Sequence, residues 1–295
     1  MYNQITYTTV PQRHGQDKRG VDKGPEYLEK YGIATLFQTH SQNPIIKKEI
    51  TKPADVERTR GELGLKDINQ VNQVNYQLRD VIAEIYSPNK MLFNLGGDHS
   101  MGLGTIAGVK KANPNSKIGV IWFDAHPDIN TPESSPSGNI HGIPLACCCG
   151  IGPEFLTNTM DKFISTQDIV YVGIRSIDDG EAELIKKDNI THFKSEDVKK
   201  VGMDKVIETI KEKFKDYDYV HLSFDIDGID PSEIIGTGTA VPDGVSLEDA
   251  CYFLKRLREI EKLHSFDLVE YNPEIEEVKT VENIFKCLKA FFLEE

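Results

Sequence analysis

Basic residues are scarce in this sequence. Lys and Arg number 34 against 47 Asp and Glu, a formal net charge of −13. Nucleic acids and anionic membranes need a basic footprint, so neither is expected as a partner. Long apolar runs are also missing: no stretch approaches the ~18 to 20 residues of a membrane span. The start, Met1-Tyr2-Asn3-Gln4, has no basic segment leading into an apolar one, so no secretory leader is expected. The cysteines number five, an odd count, and three are consecutive, Cys147, Cys148 and Cys149. Sequence neighbours rarely reach disulfide geometry, and no Cys-x-x-Cys spacing offers a thiolate metal site. A reduced, cytoplasmic location follows as an expectation, with the triplet packing as small apolar side chains. There is no Gly-x-x-x-x-Gly-Lys-Ser/Thr loop for nucleotide phosphates. Nor is there a low-complexity linker or a repeat, so residues 1–295 read as a single domain.

What remains is an alternation of strand and helix. The hydrophobic share of 39% is enough for a sizeable core. Apolar runs predict strands over residues 5–10, 91–95, 118–123, 168–174, 219–224 and 265–269. Between them, helical spacing predicts helices over 66–86, 102–111 and 199–214, from Ser176 to Lys187, from Ser246 to about Leu263, and over 280–293. A further helix should start at Gly24-Pro25-Glu26, where proline suits a first turn. The polar loop from Gln12 to Lys23 carries His14, Arg19 and Asp22, and reads equally as functional or as mobile surface. Continuous apolar strands imply a parallel sheet covered on both faces. The fold class is therefore α/β: a three-layer α-β-α arrangement around a mostly parallel, doubly wound sheet. Ligands of such sheets sit beyond the carboxyl ends of the strands.

The suspicious residues fall at those ends. Asp124, His126 and Asp128 leave one strand at every second residue, and Asp225 and Asp227 leave another. Alternate residues of extended chain project to one side. His99, after Gly96-Gly97-Asp98, adds a sixth donor from a third strand end, and Glu270 closes a fourth. Carboxylates with imidazoles suit divalent first-row cations. Six donors exceed the needs of one ion, so two metals sharing bridging carboxylates are expected. Such a pair can activate water for hydrolysis at neutral pH. The donor set alone leaves manganese, cobalt and zinc open.

These segments resemble the ureohydrolase family, on its arginase side. The resemblance rests on Gly96-Gly97-Asp98-His99-Ser100, Asp124-Ala125-His126-Pro127-Asp128-Ile129-Asn130, Ser137-Gly138-Asn139-Ile140-His141-Gly142, Ser223-Phe224-Asp225-Ile226-Asp227-Gly228-Ile229-Asp230-Pro231, Gly236-Thr237-Gly238-Thr239 and Glu270-Tyr271-Asn272-Pro273. It implies two Mn²⁺ per subunit. His99, Asp124, Asp128 and Asp225 would hold one ion, and Asp124, His126, Asp225 and Asp227 the other. A hydroxide bridging the metals would attack the guanidinium carbon of L-arginine, giving L-ornithine and urea. Asp128 would protonate the leaving amine, His141 would shuttle protons, Glu270 would pair with the guanidinium, and Thr239 would lie near the site. Asn130, Ser137 and Asn139 match positions that receive the α-carboxylate, and Asp178 one that receives the α-ammonium. A homotrimer or a dimer of trimers is implied. Agmatinase, or another guanidino-compound amidinohydrolase, is the nearest alternative, and a non-catalytic metal-binding regulator a distant one. Pro127, Ser176 and Asp179 depart from the usual arginase residues.

Overall fold

The predicted strands lie in one eight-stranded sheet of order β2-β1-β3-β8-β7-β4-β5-β6, and every pairing is parallel. The structure is a computed structural model that describes residues 1–55 and 57–293. Its strands are β1 (Ile5–Val10), β2 (Ile46–Glu49), β3 (Met91–Gly96), β4 (Ile118–Phe123), β5 (Ile169–Ile174), β6 (Thr191–Lys194), β7 (Tyr219–Asp225) and β8 (Leu263–Val269). The α-helices are α1 (Gly24–Lys30), α2 (Ile33–Thr39), α3 (Ile68–Ile85), α4 (Gly102–Ala112), α5 (Pro144–Cys148), α6 (Glu154–Thr157), α7 (Asp179–Lys187), α8 (Ser195–Val201), α9 (Met203–Phe214), α10 (Leu247–Leu257) and α11 (Val278–Phe292).

The period-two alternation of each strand feeds two cores. In β4, Ile121 and Phe123 pack with residues of α9, α10 and α11 on one face. Val120 and Trp122 turn to the other face, against α4 and α5. This is the expected three-layer arrangement. Cys147 and Cys148 are buried in the second core, as small apolar residues would be.

Three local readings change. The edge strands β2 and β6 carry half-exposed sequences such as Ile46-Lys47-Lys48-Glu49; an edge strand needs no continuous apolar run, so pattern alone passes over it. The helix predicted over 199–214 is two helices, because Gly202 turns to φ 82° between α8 and α9. Only glycine takes that backbone region cheaply. The polar loop is packed, with Gln12 to Gln16 buried. No helix among the described residues is long and apolar enough to cross a membrane.

The strand order matters most for the site. β3, β8, β7 and β4 are neighbours at the centre of the sheet. These are the strands whose ends carry His99, Glu270, Asp225 with Asp227, and Asp124 to Asp128.

Candidate active site

The four central strand ends bring the acids and imidazoles to one point. His99 Nδ1 lies 2.8 Å from Asp124 Oδ2, 3.1 Å from Asp225 Oδ2 and 3.2 Å from Asp128 Oδ2. His126 Nδ1 lies 3.1 Å from Asp227 Oδ2 and 3.4 Å from Asp124 Oδ1. Two groups therefore form, His99-Asp124-Asp128 and Asp124-His126-Asp227, with ligand atoms within 4.8 Å of one another and Asp124 in both. Asp225 stands beside the first.

Backbone hydrogen bonds aim these side chains. Asp124 Oδ1 accepts from His126 N at 2.7 Å, and Asp225 Oδ1 accepts from Asp227 N at 2.8 Å. Each thereby spends one oxygen on its own loop and turns Oδ2 toward His99. Asp227 Oδ1 accepts from Ala125 N, which ties the β7 end to the β4 end, and its Oδ2 accepts from Thr239 Oγ1 at 2.8 Å. His99 stacks on Trp122 with ring centroids 3.9 Å apart, and its Nε2 meets Ser223 Oγ at 2.7 Å. That contact leaves Nδ1 to face the acids. Asp128 and Glu270 both sit at positive φ, 50° and 67°. Such strain costs about 1–3 kcal/mol per residue and concentrates at functional sites.

The arrangement fits cations. His99 Nδ1 and Asp124 Oδ2 are buried and close, yet neither has a hydrogen-bond partner of acceptable geometry. Ligand atoms that converge without hydrogen-bond partners suit a shared ion. The electrostatics agree. Burial, then the charges of Asp227 and Asp128, push the Asp124 carboxyl up to about 6. Burial, then Asp227 and Asp124, raise Asp225 well above the carboxylate range. Burial opposes charging His99, but Asp124, Asp128 and Asp225 outweigh it and raise its pKa well above the imidazole value. Clustered acids need compensating positive charge, and divalent cations supply it.

Beside this centre, Glu270 is held by three donors. Its Oε1 accepts from His99 N at 2.9 Å and meets His141 Nδ1 at 3.3 Å, and its Oε2 accepts from Gln16 Nε2. Burial disfavours the His141 imidazolium, but Glu270 outweighs it and pushes the pKa up to about 9. A raised folded-state value contributes stability present below 6.5 and lost as pH rises through about 9. We therefore expect the stability gap between wild type and His141→Asn to shrink by up to about 3 kcal/mol across that window. Denaturant unfolding at pH 6.5 and 9.5 measures it; a gap independent of pH would refute the pairing.

The cleft in front is lined by Asp128, Asn130, Ser137, Asn139, His141, Asp178 and Thr239 among others. Asn130 Nδ2 donates to Asp178 Oδ2 at 2.9 Å, and Asn139 N donates to Ser137 Oγ at 3.1 Å. Of the predicted site residues, His126, Asp128, Asn130, Ser137, Asn139, His141, Asp178, Asp225 and Thr239 line this cleft, and His99, Asp124, Asp227 and Glu270 lie in contact with them. Three contributors went unread. Gln16 comes from the polar loop and has no local signal. Ser223 is two residues before Asp225 on the same strand face, a spacing that could have flagged it. Glu181 lines the cleft, and its carboxylate accepts from Ile129 N and Asp178 N. Its place three residues after Asp178 is a capping-box signal. Burial pushes the Glu181 carboxyl up to about 8.

A parallel α/β sheet with paired Asp and His donors at its central strand ends forms a site suited to two cations. The sequence matches the profile of the Arginase family over residues 3–293. It is 55% identical over 295 residues to the arginase of Entamoeba histolytica, covering 99% of this chain and 98% of that protein. It is 38% identical over 288 residues to an arginase of Staphylococcus aureus, covering 96% and 95%. The crystal structure of Entamoeba histolytica arginase in complex with L-ornithine superposes with a TM-score of 0.96 at 54% identity, covering 99% of each chain. The chain belongs to the arginase family.

Proposed function

We propose that this arginase-family enzyme hydrolyses L-arginine to L-ornithine and urea, with two Mn²⁺ ions in a single catalytic domain spanning residues 1–295. The observation that supports the substrate most directly is the far wall of the cleft. Asn130, Ser137 and Asn139 offer hydrogen-bond donors to an α-carboxylate, and Asp178 an acceptor to an α-ammonium. His99, Asp124, Asp128 and Asp225 would hold one ion, and Asp124, His126, Asp225 and Asp227 the other. Bound there, the pair would supply nucleophile activation at neutral pH and stabilisation of developing charge.

The remaining roles belong to the chain. Glu270, fixed by His99 N, Gln16 and His141, presents a carboxylate to the planar guanidinium, for which a paired-oxygen acceptor is the natural partner. Thr239, bonded to Asp227, closes the wall beside it. When the C–N bond breaks, the departing δ-nitrogen takes up a proton, and Asp128 passes to it the one that the attacking water gives up. His141 exchanges protons between the cleft and solvent. The solution form is a homotrimer or a dimer of trimers, and the location cytoplasmic.

The test is urea release from L-arginine, agmatine and 4-guanidinobutyrate with Mn²⁺, Co²⁺ or Zn²⁺ in turn. The expected result is a kcat/KM for arginine at least about a hundredfold above that for agmatine, because unpaired polar groups penalise a ligand lacking their partner. Preference for agmatine overturns the reading.

A further inference from the structure

Among the described residues, no Lys or Arg lines the end of the cleft proposed to receive the carboxylate. The lining of the cleft includes Asp128, Asp178, Glu181 and Asp225. The donors that Asn130, Ser137 and Asn139 offer a substrate carboxylate there are neutral, and the carboxylate of Asp178 beside them opposes it. One ammonium touches this set from behind. Lys66 Nζ lies 2.9 Å from Asn139 Oδ1, and 2.8 and 3.0 Å from the Asp17 carboxylate. Lys66 N also donates to Gly138 O at 3.0 Å. The segment around Lys66 is thus fastened to the Ser137-Gly138-Asn139 loop by backbone and side chain together. Arg58 pairs with Asp17 and, at 2.6 Å, with Asp67, which braces the cluster from the other side.

Resting on the arginine-hydrolase reading above, we propose that Lys66 is a positioning residue that makes this cleft select substrates bearing an α-carboxylate. An ammonium only donates, so it claims the oxygen of the Asn139 amide. That settles which way the amide is turned. The NH₂ group, whose one contact here is a long 3.4 Å to Asp17, then keeps a hydrogen for a ligand. The positive charge behind Asn139 polarises the amide toward a carboxylate and offsets the acids of the cleft. Asp17 comes from the Gln12–Lys23 loop, and through it that loop takes part in specificity.

The test uses the cation-loaded enzyme with Lys66→Met, Lys66→Gln and Lys66→Arg. In either neutral variant, KM for L-arginine and the inhibition constant of L-ornithine should rise about tenfold, with kcat within about twofold, since one charge-assisted contact is lost. Inhibition by 1,4-diaminobutane, which is ornithine without its carboxylate, should not change. Lys66→Arg should restore most of the arginine KM. Unchanged KM in both neutral variants overturns the proposal, as does equal weakening of ornithine and diaminobutane, which marks a merely structural role. A wild type that prefers agmatine overturns the underlying reading instead, so the two failures are distinguishable.

Discussion

Asp128→Asn should lower urea release from arginine by about a thousandfold, the range expected when a group that moves a proton in the transition state is removed. The exchange is nearly isosteric, and asparagine tolerates the positive φ of 50° at this position better than most residues. The fold should therefore survive. What is lost is charge and acidity at an oxygen 3.2 Å from His99 Nδ1, on the wall of the cleft. Asp128 is asked to do two things, to hold a cation and to give a proton. Metal analysis of the purified variant separates them. A variant that retains its metal and loses turnover identifies the proton role; one that loses metal identifies the ligand role. Activity within tenfold of wild type excludes both.

The second large effect concerns the cation-stripped protein. Asp124, raised from 3.8 to about 6, contributes stability that is present below 3.8 and lost as pH rises through about 6. Asp225 is shifted in the same direction. His126 is opposed by burial but pushed up to about 12 by Asp227 and Asp124, so its contribution, present below 6.5, is also lost on raising the pH. Asp227 moves the other way, lowered because His126 outweighs its burial; its contribution is lost only below 3.8. Above pH 4 the shifts of Asp124, Asp225 and His126 therefore make the stripped protein weaker as pH rises, while the Asp227 contribution stays constant. Cation binding runs opposite, because carboxylate and imidazole ligands must be deprotonated. The difference in Tm between Mn²⁺-loaded and chelator-treated protein should accordingly widen from pH 5 to pH 8, reaching about 5–10 °C at saturating metal. Urea release should vanish with the metal and return on its addition. A constant or narrowing difference would mean that the acid cluster is not a cation site.

Read as sequence, the donors were legible because their spacing carries geometry. Asp124, His126 and Asp128 follow an apolar strand, and extended chain turns alternate residues to one side. In the structure the chain bends at residues 124–126 just past β4, with Asp124 Oδ1 accepting from His126 N, and Asp128 takes a left-handed φ of 50°, so turns rather than extended chain bring the three together. Asp225 ends β7 and Asp227 sits in the 3-10 turn that follows, capped by the Asp225 carboxylate. Ser246 and Asp249 have the serine-then-acid spacing of a capping box at the start of α10, and half of it forms: Ser246 Oγ accepts from Asp249 N, but the Asp249 side chain bonds the serine hydroxyl rather than closing back on the backbone. The edge strands were not legible, since β2 and β6 lack the apolar continuity that burial on both faces imposes.

By itself the sequence determined the kind of fold and pointed to the acids and imidazoles that the fold gathers. Burial on two faces demands apolar runs, and ligation demands carboxylates and imidazoles at strand ends; both are properties of short segments. The tertiary structure alone decided the strand order that seats β8 and β7 between β3 and β4, and hence that His99, Glu270, Asp225 and Asp124 share one centre. It also decided that Gln16 reaches Glu270 across 254 positions and that Lys66 reaches Asn139 across 73. Contacts of that range depend on how the whole chain packs, and no local period encodes them.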